Sequence, residues 1–188
     1  MANIAIVYHS GYGHTESLAH SVKQGAQKVP DTHVLLIEAE KVDDHWEDLR
    51  KADAIIFGAP TYMGSASAPF KTFMDKSSKV WIKQEWKDKI AAGFTNSSSQ
   101  SGDKLNTLVQ LVIFAMQHSM VWVGLGLLPG NNSSKGSIND LNRLGSYIGA
   151  MAQSNNDEGP DRAPPAADHE TAAHLGQRVA MLTHRQKE

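Results

Sequence analysis

The segment Val7-Tyr8-His9-Ser10-Gly11-Tyr12-Gly13-His14-Thr15-Glu16-Ser17 constrains the fold of this chain more than any other. It joins an apolar run to a helical pattern through a loop with two glycines. Asn3 to Tyr8 is short, β-branched and continuously apolar, as a strand buried on both faces of a parallel sheet must be. Gly11 and Gly13 allow backbone angles that a residue with Cβ resists, and Ser10 and Thr15 place hydroxyls beside the amides of an opening helix. The loop reads as an anion cradle with no positive side chain.

Further along, strand-like runs alternate with helical ones, the pattern of an α/β domain. The strands are expected at Asn3 to Tyr8, Thr32 to Glu38, Ala54 to Gly58, Ile90 to Thr95 and Met120 to Gly124. Helices are expected at His14 to Lys28, Asp44 to Lys51, Ala66 to Ser78, Asp103 to His118 and Asp168 to Arg185. Right-handed crossovers then give a doubly wound parallel sheet with helices on both faces. Such a sheet binds ligands at the carboxyl ends of its strands, where connections reverse direction. Three polar or glycine-rich loops belong on that rim: the first glycine loop, Ala59 to Ser65, and Asn96 to Gly102. Two longer stretches, Gly124 to Ser137 and Gln153 to Ala167, lack periodicity, and loops of that length are expected to cover a site or a subunit contact.

Composition narrows the function. A chain of 188 residues suits one domain, residues 1–188, and its net charge of −2 offers no basic stripe for nucleic acid. With no cysteine there is no thiol redox chemistry and no cysteine nucleophile, so any redox work needs a cofactor. The start of the sequence has no basic region followed by an apolar signal core, and no apolar stretch approaches about 18 residues. A cytoplasmic protein without membrane insertion is expected. The seven histidines other than His14 and His118 show no metal-ligand spacing with carboxylates or other histidines, so no metal is expected.

The glycine loop itself excludes several chemistries. A triphosphatase loop ends in Lys followed by Ser or Thr, whereas Gly13 is followed by His14 and Thr15. The dinucleotide fingerprint needs a third glycine where Glu16 stands. A phosphatase of this architecture would need a cysteine, and a response regulator would need carboxylates at this strand end, where His9 and Ser10 stand instead. One terminal phosphate fits the loop better than a pyrophosphate. A glycine turn that serves packing alone is the plain alternative.

Several segments resemble the flavodoxin-like WrbA group of FMN-dependent NAD(P)H:quinone oxidoreductases. They are Tyr8 to Thr15, Ile55 to Gly64, Phe70 to Asp75, His118 to Val121 and Leu144 to Ala150, in order over nearly the whole chain. The resemblance implies a flavodoxin-like sheet of order 2-1-3-4-5 with FMN at its rim. It implies that Ser10, Gly11, Tyr12, Gly13, His14 and Thr15 wrap the FMN phosphate. Pro60, Thr61, Tyr62, Met63 and Gly64 would run beside the isoalloxazine, and Thr95, Asn96, Ser97, Ser98, Ser99 and Gly102 would form the third flavin loop. His118 corresponds to a histidine near the ring, Trp81 to a tryptophan lining the substrate space, and Tyr12 to a residue implicated in nicotinamide binding.

The implied activity is transfer of two electrons from NAD(P)H to a quinone-type acceptor, in a homo-oligomer that is a dimer or tetramer. A flavodoxin-type electron carrier and a non-catalytic flavodoxin-like interaction protein are the alternatives. Residue by residue, His118 could instead cap the helix before it, and Trp81 could be a surface or interface aromatic. The chain also departs from the group. Its third loop carries serines where glycines are usual, Tyr62 stands where Arg is common, and Ala39 to Ala52 is short.

Overall fold

The computed structural model describes residues 1–187. Strand β1 (Ala2–Tyr8) lies inside the sheet, paired in parallel with β2 (Thr32–Glu38) on one side and β3 (Ala54–Tyr62) on the other. Beyond β3 lies β5 (Ile90–Ser97), also parallel. The alternation of side chains along β1 explains its unbroken apolar run from Ile4 to Tyr8. Ile4, Ile6 and Tyr8 enter one core, while Ala5 and Val7 enter the other.

Each face is closed by helices. On one, α1 (His14–Gln27) and α6 (Ala166–Gln186) pack Leu18, Val22, Leu175 and Val179 against the sheet. Glycine sets how closely those two helices approach: a methyl at Gly25 would enter the Ala173 carbonyl, and one at Gly176 the Val22 carbonyl. On the other face, α3 (Ala68–Lys76) and α5 (Lys104–Gln117) enclose an aromatic cluster of Phe57, Phe70, Phe73, Trp86 and Phe114. Short helices α2 (Trp46–Lys51) and α4 (Ser78–Trp81) complete that side.

The main path of the sheet is β2-β1-β3-β5-β6, which is the expected flavodoxin-like order with one strand number interposed. The interposed strand is β4 (Ser65–Ala66), a short antiparallel return on the end of β3. The fifth position differs from the single strand expected at Met120 to Gly124. There, β6 (Val121–Trp122) pairs with the start of β5, and β7 (Ala150–Gln153) pairs with its end. Residues 123–149 leave the sheet and return to it. Their two ends are held together by Leu125 N–H donating to Tyr147 O at 2.9 Å and by Trp122 Nε1 donating to Ile148 O at 2.8 Å. Asn142, buried in a left-handed conformation, braces the excursion through Ser146 and the Thr171 hydroxyl of α6. A second β-strand four residues long, reached only after that excursion, has too little sequence to announce itself.

The close contact of α1 and α6 yields a test. Gly176→Val should lower unfolding free energy by about 2 kcal/mol or more, as an overpacked helix contact does, read by urea denaturation.

Candidate functional site

The carboxyl ends of β1, β3 and β5 open into a cavity of about 590 Å³, in the range that holds a cofactor-sized ligand. Register brings them level: Tyr8 pairs with Gly58, Gly58 with Phe94, and Pro60 with Asn96. The first loop supplies Ser10, Gly11, Tyr12, His14 and Thr15 to the lining. Ser10 Oγ is buried and has no hydrogen-bond partner among the described residues. Helix α1 begins from Gly13 at φ 86°, with no side chain capping it. Its first internal bond runs from Ser17 N to Gly13 O at 2.9 Å, so the amides of residues 14–16 have no helical acceptor. An unused hydroxyl and uncapped amides at one helix start make a site for an anion.

A strap from the other end of the chain closes this loop. His14 Nε2 lies 2.8 Å from Glu158 O, and a methyl on Gly13 would meet Pro160 Cγ at 2.8 Å. Ser154, Asn156, Glu158 and Gly159 line the cavity from this strap. The sequence marks the stretch only as a long loop able to cover a site. No motif in it singles out those residues.

The second loop contributes Pro60, Thr61, Tyr62, Met63 and Gly64 to the lining. Met63 and Gly64 both take positive φ, 47° and 77°, so the chain turns sharply and presents backbone to the cavity. The Tyr62 phenol packs over the first loop, where a methyl on Gly11 would come within 2.6 Å of its oxygen, and burial raises its pKa. Tyr12 lies edge-on to it at 6.3 Å and is exposed at the mouth. Beneath, Thr61 Oγ1 lies 2.8 Å from Thr95 Oγ1 and donates to Thr107 Oγ1 at 2.7 Å. Thr95 therefore underpins the floor instead of facing the ligand space, as Gly13 does behind the first loop.

The third loop brings Asn96, Ser97, Ser98, Ser99 and Gly102 to the cavity. Ser154 Oγ donates to Asn96 Oδ1 at 3.0 Å, and Gln153 Nε2 donates to Ser98 O at 2.9 Å, so β7 holds the loop from the side. From behind it is held by Lys104, which donates to Ser97 Oγ at 2.8 Å and Ser99 O at 2.6 Å. Burial pushes this lysine down to about 8. No sequence motif marks this lysine, which falls within the helix expected at Asp103 to His118.

His118 and Trp81 come together with each other, in a second groove, and not with the main cavity. The cause is topological. Helix α5 leaves the third loop and runs back about 20 Å, at roughly 1.5 Å per residue, to the amino end of the sheet. There Val121, just beyond it, pairs with the first residue of β5. His118 is 2% exposed, its Nε2 lies 2.9 Å from Ser77 Oγ, and its ring lies 4.3 Å from that of Trp86. Its Nδ1 is buried without a partner among the described residues. Burial pushes the imidazole down to about 4, so it is neutral at physiological pH. Trp81 is partly exposed on the same groove.

Among the described residues, no group of three or more His, Asp or Glu could hold a metal ion, and no helix is long and apolar enough to cross a membrane.

Comparison with known proteins agrees with the resemblance drawn from the motifs. Residues 13–132 match the family model described as NADPH-dependent FMN reductase. A curated relative named flavodoxin FldP, from Pseudomonas aeruginosa, is 41% identical over 184 residues, 97% of each chain. An NAD(P)H dehydrogenase (quinone) from Sinorhizobium fredii is 30% identical over 199 residues, again 97% of each. The solved structure of a flavodoxin, WrbA-like protein from Agrobacterium tumefaciens aligns with a TM-score of 0.77 and 43% identity, covering 98% of this chain and 99% of that one.

The buried imidazole gives a pH test. Because the folded pKa of His118 lies below its value of 6.5 in an unfolded chain, the unfolded state binds more protons between those values, and stability falls as pH drops from about 6.5 to about 4. In His118→Gln this part of the loss, on the order of 2 to 3 kcal/mol, should vanish from the difference between urea denaturation at pH 7 and at pH 4.

Proposed function

The chain belongs to the NADPH-dependent FMN reductase family, and from that premise we propose that it binds FMN in the rim cavity and uses it as an oxidoreductase between NAD(P)H and a quinone-type acceptor. The observation that carries this reading is the Ser10 hydroxyl, buried without a partner among the described residues beside the uncapped start of α1. Together they fit a terminal phosphate. Several charge-assisted hydrogen bonds, each about 1.5 to 3 kcal/mol, offset the cost of dehydrating a dianion without any lysine or arginine in the lining.

The other loops suit the ring. Thr61 to Gly64 presents backbone at a turn that lacks side-chain bulk at Gly64, while Asn96 and the serines give neutral hydrogen-bonding groups on the opposite wall. The Tyr12 and Tyr62 rings, T-shaped at the mouth, are a platform for a planar second substrate. When bound, FMN supplies the electron chemistry: two electrons and a proton come from NAD(P)H, leaving NAD(P)+, and pass with one solvent proton to a quinone, leaving its hydroquinone. The protein's share is to orient the cofactor, leave one side open and shape the electrostatics. No side chain needs to act as a covalent nucleophile. His118, neutral and within hydrogen-bond distance of Ser77, lines a groove other than the rim cavity within its own chain.

A carrier role is the second reading, favoured by the 41% identical relative named a flavodoxin. Against it stands the net charge of −2, since carriers that dock on basic reductases are usually strongly acidic.

FMN-loaded protein is expected to oxidise NAD(P)H with benzoquinone as acceptor, with parallel double-reciprocal lines. Bound FMN with no NAD(P)H oxidation would leave the carrier reading. Ser10→Ala should weaken FMN binding by about tenfold or more, the size of one charge-assisted hydrogen bond, measured by flavin fluorescence quenching.

A further inference from the structure

Among the described residues the rim cavity has no lysine or arginine in its lining, yet a lysine stands directly behind its third wall. Lys104 is fully buried, and its two named oxygen partners belong to neutral serines of the loop that faces the cavity. Ser97 Oγ accepts from the ammonium and donates in turn to Ser99 O at 3.1 Å. Gly102, at φ 53°, folds the loop down on this core, since a methyl there would enter Ser97 Oγ. The ammonium is thus sealed from water and separated from the ligand space by one layer of serine.

This position disfavours a positive charge twice. Burial removes its hydration, and Lys104 is the first residue of α5, where the helix dipole repels a cation. The nearby carboxylate does not neutralise it. Asp168 is already committed to Arg143, with 2.7 and 2.8 Å bonds to Nε and Nη2, and to the Gln153 amide at 2.9 Å. The buried charges behind the loop are two cations and one anion. A net positive charge remains, aimed by α5 at the same wall.

We propose that Lys104 is the electrostatic positioning residue of the site, holding the Ser97 to Ser99 loop and, through it, favouring the reduced cofactor over the oxidised one. The inference rests on the reading of the rim cavity as an FMN site. Reduction by two electrons and one proton adds a negative charge to the bound cofactor, and a fixed cation behind a dry wall stabilises it without reorganisation. A clamp with only a structural role would affect both redox forms alike.

The experiment begins with the native protein. FMN must bind it, and failure there overturns the FMN reading and this inference together. With FMN bound, the two-electron midpoint potential is measured by dye equilibration for native protein, Lys104→Gln, which keeps a hydrogen-bond donor, and Lys104→Met, which keeps length alone. Both variants should lose about tenfold more affinity for reduced than for oxidised FMN, within the usual range of coupling between sites. That ratio is a fall in potential of about 30 mV for a two-electron couple. An unchanged potential in both variants, with the native FMN site intact, overturns the role of Lys104 alone.

If neither variant folds, the native holoprotein still decides. The groups facing Lys104 are Asp168, Arg143 and the loop itself, and burial lowers the lysine's pKa to about 8. Reduction at pH 8 to 9 should draw an added proton onto Lys104, seen as a steeper fall of potential with pH. A potential whose slope does not change through that range overturns the inference.

Discussion

Parallel pairing of β1, β3 and β5 in one register is the constraint on which the remaining structure depends. Tyr8, Gly58 and Phe94 stand side by side, so three chain reversals of different sequence leave the sheet at one level. Gly58 makes this possible, because a methyl there would enter the Phe94 ring. Each strand end then delivers a different kind of group. The first gives uncapped amides and a free hydroxyl, the second a turn of positive φ, the third a row of serines. Burial of both sheet faces fixes the strands, and fixed strands fix the distances between loops that share no contact in sequence.

The first two loops and most of the fold were legible because their signals are local. A glycine pair between an apolar strand and a helix has few other uses, and β-branched runs separated by amphipathic helices leave little choice of topology. The fifth strand was harder to read. Its two halves lie on opposite sides of residues 123–149, and pairing to different ends of β5 is a property of tertiary structure. The same holds for the strap over Gly13. Nothing in Asn156, Glu158 or Pro160 as residue types points to the first loop, more than 140 residues away.

His118 and Lys104 show the limit from opposite directions. Position in a motif draws His118 towards the ring, whereas α5 carries it to the far end of the sheet, against Trp86 and Ser77. Lys104 carries no motif, yet the same helix begins with it beneath the third loop. The serines of that loop acquire a physical use here. Ser97 offers a hydroxyl that relays the ammonium to the backbone of Ser99, which a glycine could not do.

Titration of the apoprotein with FMN and with riboflavin, which differ only in the phosphate, isolates the role of Ser10 and the start of α1 as the seat of the ligand's anion. FMN should bind at micromolar concentration or tighter, and riboflavin about a hundredfold more weakly, the contribution of two charge-assisted hydrogen bonds. Equal affinities for the two flavins, or no binding of FMN, would place the anion elsewhere.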